Sequence, residues 1–500
     1  MKAFLMYRDR DFDLQRRLPW NEDALTQDLE LNTLFNAMAL GDEFLFEVAK
    51  KAVLSGIDND VETALYRQDV LGDCLKNPTI VKDIYDIAVA SLEGEKKIVW
   101  GYFGQYPDAI LYRGVEMLQF FVGMLRKLRS IADEHAGEFE SEGFATLFAM
   151  LRRELDEEYF ARIQNHLKKL RFRGGVWISA ELGKGNKGTN YILRKPPDKE
   201  PGWMKRVFGA RPPAYTFYIA PQDQNGARAL SELRDRGINL VANALAQSTD
   251  HILSFFAMLR AELAFYIGCF NLHGQLVRMG EPMCFPVPAP PGERRHSFEG
   301  LYDVCLALTL ARKIVGNDVN AENRNVVIIT GANKGGKSTF LRSIGLAQLM
   351  MQCGMFVPAE SFCSNVCDGL FTHYKREEDV TMKSGKLDEE LSRMSDIVDK
   401  ITPNSLLLFN ESFAATNERE GSEIARQIVW ALFQKQIKVF FVTHLYEFAH
   451  GLYDKRTEGS LFLRAERLPD GRRTFRVIEG EPLQTSYGED LYKRIFGTGK

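Results

Sequence analysis

The chain has no run of 18 apolar residues, so its sequence offers no membrane-spanning helix. It also lacks a leader-like start. The first ten residues include Lys2, Arg8, Asp9 and Arg10 and no long apolar stretch. The expectation is a cytoplasmic protein with no membrane partner. Cysteine is scarce, seven in 500 residues, and odd in number. Only Cys363 and Cys367 lie close together, without a second Cys or His pair to complete a zinc site, so free thiols in a reducing compartment are expected. An excess of one charge is missing too. The 64 Lys and Arg against 67 Asp and Glu leave −3, so global charge says nothing about nucleic acid. What remains is the composition of an ordinary globular chain, 45% hydrophobic and 26% charged, long enough for two to four domains.

Apolar residues recur at three- and four-residue spacing over residues 24–53, 60–76, 80–92, 115–135 and 144–170, which predicts helix after helix. The pattern breaks at Arg171. Residues 175–180 and 215–220 read as strands, with Gly- and Pro-rich pieces between them, and helical spacing resumes over 227–279. This insertion is basic. Residues 166–211 hold twelve Lys and Arg, including Lys168, Lys169, Arg171 and Arg173, against three acids, a local balance of +9. Phe172, Trp177, Tyr191, Trp203 and Phe208 are interleaved. Such a segment suits contact with a phosphate backbone, although a solvated loop would carry the same charges. The Pro-rich string at 286–292 reads as a stiff linker into the last domain.

Residues 325–338 are the most informative stretch. Four β-branched residues, Val326 to Ile329, predict a strand buried on both faces. G-A-N-K-G-G-K-S follows at 331–338, then a helical pattern through Phe340, Ile344, Ala347 and Met351 with Gly354 at its cap. Strand, G-x-x-x-x-G-K-S and helix together make a phosphate-binding loop. The expected ATP contacts are Gly331, Ala332, Asn333, Lys334, Gly335, Gly336, Lys337, Ser338 and Thr339. Lys337 would sit on the β- and γ-phosphates and Ser338 on Mg²⁺. A second buried run ends in Asn410 and Glu411, and a third ends in His444. Groups at the carboxyl ends of such strands face the phosphate crevice. An acid is expected where Asn410 stands, to support Mg²⁺, and a water-orienting group where Glu411 stands.

Several strings in the final domain resemble the MutS family of DNA mismatch-repair ATPases, in the ABC-type class. They are V-G-N-D-V at 315–319, T-G-A-N-K-G-G-K-S-T at 330–339, G-M-F-V-P-A at 354–359, S-G-K-L-D-E at 384–389, L-L-F-N-E-S-F-A-A-T-N at 407–417, T-H at 443–444 and S-Y-G at 486–488. The resemblance covers about residues 300–490. Before that it rests on long lever-like helices with a β insertion where the family carries its DNA clamp. The departures are an Asn410 in place of the family's Asp and no sign of the mismatch-reading domain, the connector or the C-terminal dimerisation element. The expectation is thus a short bacterial MutS-related form.

The resemblance implies a mixed architecture. A helical lever and core domain at 1–285, with a clamp-like basic insertion at 171–225, precedes an α/β P-loop ATPase domain at 286–500. It implies Mg-ATP hydrolysis with Glu411, His444 and Lys337 as catalytic groups, slow because of Asn410. Metal support would come from Ser338 and, indirectly, Asn410. Ser384 would reach the γ-phosphate of a second subunit, making a nucleotide-dependent homodimer that switches a DNA clamp. Two other readings stay open: a nucleotide-binding switch with little hydrolysis, and an ATPase acting on protein partners without DNA. A transporter subunit is disfavoured, since no L-S-G-G-Q string is present.

Overall fold

The computed structural model describes residues 1–100, 106–172, 175–195, 215–376, 385–455 and 458–484. In chain order, helices α1 (Glu22–Asp28), α2 (Leu31–Ala39), α3 (Glu43–Ser55), α4 (Val61–Lys76), α5 (Pro78–Trp100), α6 (Pro107–His135), α7 (Glu142–Glu154) and α8 (Glu157–Leu170) come first. Strands β1 (Trp177–Leu182) and β2 (Gly188–Arg194) and the long helix α9 (Gln224–Met279) follow. The remainder is α/β: β3 (Val287–Ala289), β4 (His296–Leu301), α10 (Val304–Leu310), β5 (Asn317–Asn320), β6 (Val326–Gly331), α11 (Lys337–Gln352), β7 (Ser361–Asn365), β8 (Leu370–Tyr374), α12 (Lys386–Val398), β9 (Leu406–Asn410), α13 (Glu418–Gln434), β10 (Lys438–Val442), α14 (Tyr446–Asp454), β11 (Ser460–Arg467) and β12 (Arg473–Glu479).

The chain forms two compact units. One comprises Met1–Ala3, Thr79–Glu138 and Ala145–Arg260; the other comprises Phe4–Pro78, Phe139–Phe144 and Ala261–Lys500. Much of what the sequence groups with the helical domain therefore shares a unit with the α/β part. Hydrogen bonds show why: the Asn21 and Asn59 amides donate to the Leu370 and Gln352 carbonyls, both at 2.9 Å, and Arg67 donates to the Cys353 carbonyl at 3.3 Å. In the same unit the buried Glu262 carboxylate of α9 accepts the N–H groups of Leu5, Met6 and Phe12.

Two predicted helices are broken. Residues 24–53 form three helices because Glu30 and Leu40 take left-handed backbone angles, with φ of 54° and 49°. Asp42 then caps α3 by accepting the Leu45 N–H at 3.0 Å. Residues 144–170 divide at Asp156, which caps α8 through the Tyr159 N–H at 2.7 Å.

In the first unit β1 and β2 form an antiparallel hairpin. The second strand is Gly188–Arg194, not the predicted 215–220, which runs without strand partners. The alternation Tyr191, Ile192, Leu193 supplies the pleated face, and the flanking glycines disguised it in the sequence. Leu193 and Val176 pack beside Leu111, Ile238 and Ala242 of α6 and α9. One 18-residue window of α9 is apolar enough to cross a membrane, which the sequence reading passed over; 67% of that window is buried inside the protein, the condition of a core helix.

In the second unit a six-stranded sheet runs β12-β11-β6-β10-β9-β8, parallel except for β12. Residues 326–329, 406–409 and 439–442 of its central strands are all apolar and buried, because both faces are covered. Phe409, Phe413, Phe441 and Phe448 fill one side. Helix α11, buried for nearly all its length, fills the other and ends in a left-handed Gly354 (φ 80°). There the Met355 and Gly354 N–H groups bond the Met350 and Met351 carbonyls. A smaller sheet has the order β3-β7-β4-β5. Residues 287–289, predicted as linker, are its edge strand β3, with Pro288 opposite Ser364. Proline is tolerated there because an edge strand can spare one donor.

Candidate functional site

The parallel register brings three strand ends together. Val442 lies opposite both Ile329 and Asn410, so the turns after β6, β9 and β10 emerge side by side. The Thr443 N–H donates to the Ile329 carbonyl at 3.0 Å and the Glu411 N–H to the Val442 carbonyl at 2.8 Å. The sheet itself thus places Gly331, Glu411 and His444 around one crevice.

Gly331 (φ 109°) and Gly336 (φ 92°) take the left-handed angles that turn the chain from β6 into α11. A Cβ on Gly331 would meet the Ala465 backbone nitrogen at 2.8 Å, so β11 presses on the loop directly. Lys337 opens α11 and is buried, 5% exposed. Its Nζ donates to the Gly331 and Ala332 carbonyls at 3.0 and 3.1 Å. Burial pushes this ammonium down to about 8; Glu411 opposes the shift and Arg473 adds to it.

The Ser338 hydroxyl donates to the Asn410 amide oxygen at 2.9 Å. Glu411 stands in a left-handed conformation, φ 55°, which a non-glycine residue keeps only under support from its surroundings. His444 Nε2 lies 2.8 Å from its Oε1. A carboxylate only accepts, so Nε2 carries the proton. That hydrogen bond holds the Glu411 carboxyl below its usual range, with Lys337 and Lys375 adding to the effect and partial burial opposing it. The next two residues are fixed from below. The Ser412 hydroxyl donates to the His373 carbonyl at 2.6 Å, and the Phe413 N–H donates to the Glu390 carboxylate at 2.9 Å.

Beside the loop lies a cavity of about 520 Å³, lined in part by Leu310, Val315, Lys334, Thr339 and Phe475. Arg473 Nε donates to the Asn333 carbonyl at 2.8 Å. Arg473 and Phe475 escaped the sequence reading because they are 140 residues from the loop. The string P-D-G at 469–471 is a turn signal that could have paired β12 with β11 and so found them. Asn317 accepts the Val477 N–H at 2.7 Å and Asp318 the Gly300 N–H at 2.6 Å, giving the two polar residues of V-G-N-D their structural work.

Residues 331–339, Asn410, Glu411 and His444 are therefore together. Lys168, Lys169 and Arg171 belong to the other compact unit. The two lysines are exposed in the last turn of α8, and Arg171 donates to Gln119 at 2.8 Å. Ser384, Arg173 and the S-Y-G string lie outside the described residues. Among the described residues no group of three or more His, Cys, Asp and Glu side chains is assembled to hold a metal. The oxygens of Ser338 and Asn410 could hold a hard cation that also takes ligands from phosphate. All seven cysteines are free.

A glycine-turned loop at the head of a buried helix, with a carboxylate and an imidazole on the neighbouring strand ends, defines a P-loop nucleotide-binding domain. Comparison narrows the class. Residues 59–279 match the model of the MutS2 N-terminal domain and residues 327–494 that of MutS domain V. The DNA mismatch repair protein MutS of Petrotoga mobilis is 33% identical over 172 residues, 34% of this chain and 21% of that protein. The protein of the same name from Lactobacillus acidophilus is 30% identical over 223 residues, 42% and 26% of the two chains. MutS protein homolog 4 of Mus musculus is 30% identical over 152 residues, 30% and 16%. The chain belongs to the MutS family. It spans about a quarter or less of the length of these relatives.

Proposed function

We propose that this protein is a MutS-type ATPase that binds ATP with Mg²⁺ at residues 331–339, hydrolyses it slowly, and uses the cycle to switch a dimeric clamp on DNA. The pairing of Glu411 with His444 at 2.8 Å carries the hydrolysis reading. A carboxylate kept ionised and aimed by an imidazole donor at the end of a P-loop sheet suits a base that orients water toward a terminal phosphate. His444 would sense that phosphate. The N–H groups of the loop would cradle the phosphate chain, and Lys337 would exchange its carbonyl partners for β- and γ-oxygens. The cavity beside Phe475 has room for the nucleoside.

Ser338 and Asn410 offer two neutral oxygen donors, a fit for Mg²⁺ that leaves most of the counter-charge to the phosphates. When bound, the ion neutralises phosphate charge. Asn410 contributes none of the negative charge that an Asp would, and this supports slow turnover. The same observation favours a second reading, a nucleotide switch with little hydrolysis. In either case Ser384 would reach the γ-phosphate of a second copy, so that ATP strengthens the dimer. Lys168, Lys169, Arg171 and Arg173 would contact the DNA backbone, supported by the local balance of +9. The free thiols suit a cytoplasmic setting.

The test is ATP turnover and DNA binding at several salt concentrations. Lys337→Ala should abolish turnover and strongly weaken ATP binding. Replacing the four basic residues together should lower DNA affinity and flatten the slope of log K against log salt, by about 0.9 for each duplex phosphate no longer neutralised. Unchanged turnover in the first variant removes the ATPase assignment. Absence of DNA binding at low salt favours protein partners instead.

A further inference from the structure

Tyr215, Phe217 and Tyr218 are 91%, 78% and 84% exposed. Three large rings within four residues form an apolar patch, and contiguous patches of this kind mark contact with another molecule. The segment is not loose at its far end. Ile219 packs against the first turn of α9, where its Cγ2 lies 3.1 Å from the place a Cβ on Gly226 would occupy. The Ala220 carbonyl accepts the Asp223 N–H at 2.9 Å, and the Asp223 carboxylate accepts the Gly226 N–H at 2.8 Å. The rings are thus presented outward from a chain anchored to a helix.

The charge nearby selects the partner. The hairpin β1–β2 packs on the same helix, with Ile178 at Gly237, eleven residues beyond Gly226 and about 16 Å at the helical rise. Lys184, Lys187 and Arg194 of that hairpin are exposed. A polyanion would be drawn to this face, and one that carries bases would also give the exposed rings something to stack on. Exposed rings beside cations suit a nucleic acid whose bases are unpaired, because a duplex hides its base faces in its own stack.

We propose that residues 215–220, together with the basic hairpin β1–β2, form a stacking site for unpaired bases of a single-stranded nucleic acid. The proposal rests on the DNA-contact reading above and names the form of nucleic acid recognised.

The experiment measures anisotropy of three labelled 20-nucleotide probes: a mixed-sequence single strand, the same sequence as duplex, and a single strand of abasic sites. The full chain is compared with the triple variant Tyr215→Ala, Phe217→Ala, Tyr218→Ala. Stacking is worth at least about fivefold per base, so the triple variant should lose about tenfold or more on the single strand and less than about twofold on duplex. The abasic strand should bind both proteins alike and more weakly than the base-bearing strand binds the parent. Tyr218→Trp with Phe217→Trp should keep the affinity. Circular dichroism and a thermal unfolding midpoint that match the parent's confirm that the triple variant is folded, and its basal ATP turnover should stay at the parent rate.

Equal single-strand affinity of parent and triple variant overturns the proposal, as does an abasic strand bound as tightly as the normal one. A change in oligomeric mass with unaltered single-strand affinity assigns the rings to a protein contact and overturns it too. If no probe binds at low salt while ATP is still turned over, the DNA reading itself fails.

Discussion

Replacing His444 with Ala removes the donor that holds Glu411 at 2.8 Å. A hydrogen bond to a charged group contributes about 1.5–3 kcal/mol. Here the side chains are 31% and 33% exposed, so solvent screening lowers this to about 1–2 kcal/mol. If the bond orients the base in the transition state, kcat should fall about 5- to 30-fold, with ATP affinity nearly unchanged. The pH profile adds a signature. Glu411 has a depressed folded pKa, with His444 as the largest cause, so it stays ionised as pH falls toward that depressed value. Without His444 the carboxyl returns toward its ordinary range, and the acid limb of kcat/KM moves to higher pH. The same linkage makes the stability from this pair present above the unfolded carboxylate pKa and lost as pH falls through the folded one. Steady-state turnover from acid to neutral pH, with ATP binding measured separately, is the assay. A kcat within about twofold of the parent and an unmoved acid limb would refute the orienting role.

Asn410→Asp keeps an acceptor for the Ser338 hydroxyl and adds a charge beside it; turnover should rise and half-saturating Mg²⁺ should fall, and a Mg²⁺ titration with no change counts against the account of slow hydrolysis. Arg473→Ala should raise KM for ATP about 5- to 10-fold with kcat within about twofold, since removing a hydrogen bond to the Asn333 carbonyl costs about 1–1.5 kcal/mol, and Arg473→Lys should recover part of it; a loss confined to kcat would contradict a loop-positioning role. Gly316→Ala puts a Cβ 2.6 Å from the Gly300 carbonyl oxygen, a backbone contact that cannot swing away; overpacking of this kind costs about 1–3 kcal/mol, and thermal unfolding that starts no earlier than in the parent would show that the strand can yield.

That crowding also explains the glycine of the V-G-N-D string, which was legible as a letter but not as a reason. The strand, loop and helix over 326–352 were readable because their signals are local: four β-branched residues, a glycine loop and a helical stripe follow one another without interruption. The strand ends at Asn410 and His444 were readable because buried parallel strands are continuous apolar runs. What escaped depends on partners distant in sequence. Arg473 meets the loop only once β12 pairs with β11. Glu262 looks like one more polar residue on a helix until the chain start, 250 or more residues away, donates to it. The helix breaks at Asp42 and Asp156 did carry a local signal, an acid cap before an apolar stretch, which the three-to-four spacing overrode. Pro288 shows the opposite fault: a Pro-rich string was read by composition alone, whereas its place on a sheet edge satisfies both proline and strand.

The central claim is that Glu411 acts on water while residues 331–339 hold the nucleotide. Glu411→Gln, measured for ATP binding and for single-turnover hydrolysis in the same preparation, tests it most directly. The account predicts ATP affinity within about threefold of the parent and hydrolysis reduced by about 10²- to 10⁴-fold, the usual loss for one positioned general base. Hydrolysis at the parent rate, or loss of ATP binding together with hydrolysis, would contradict it.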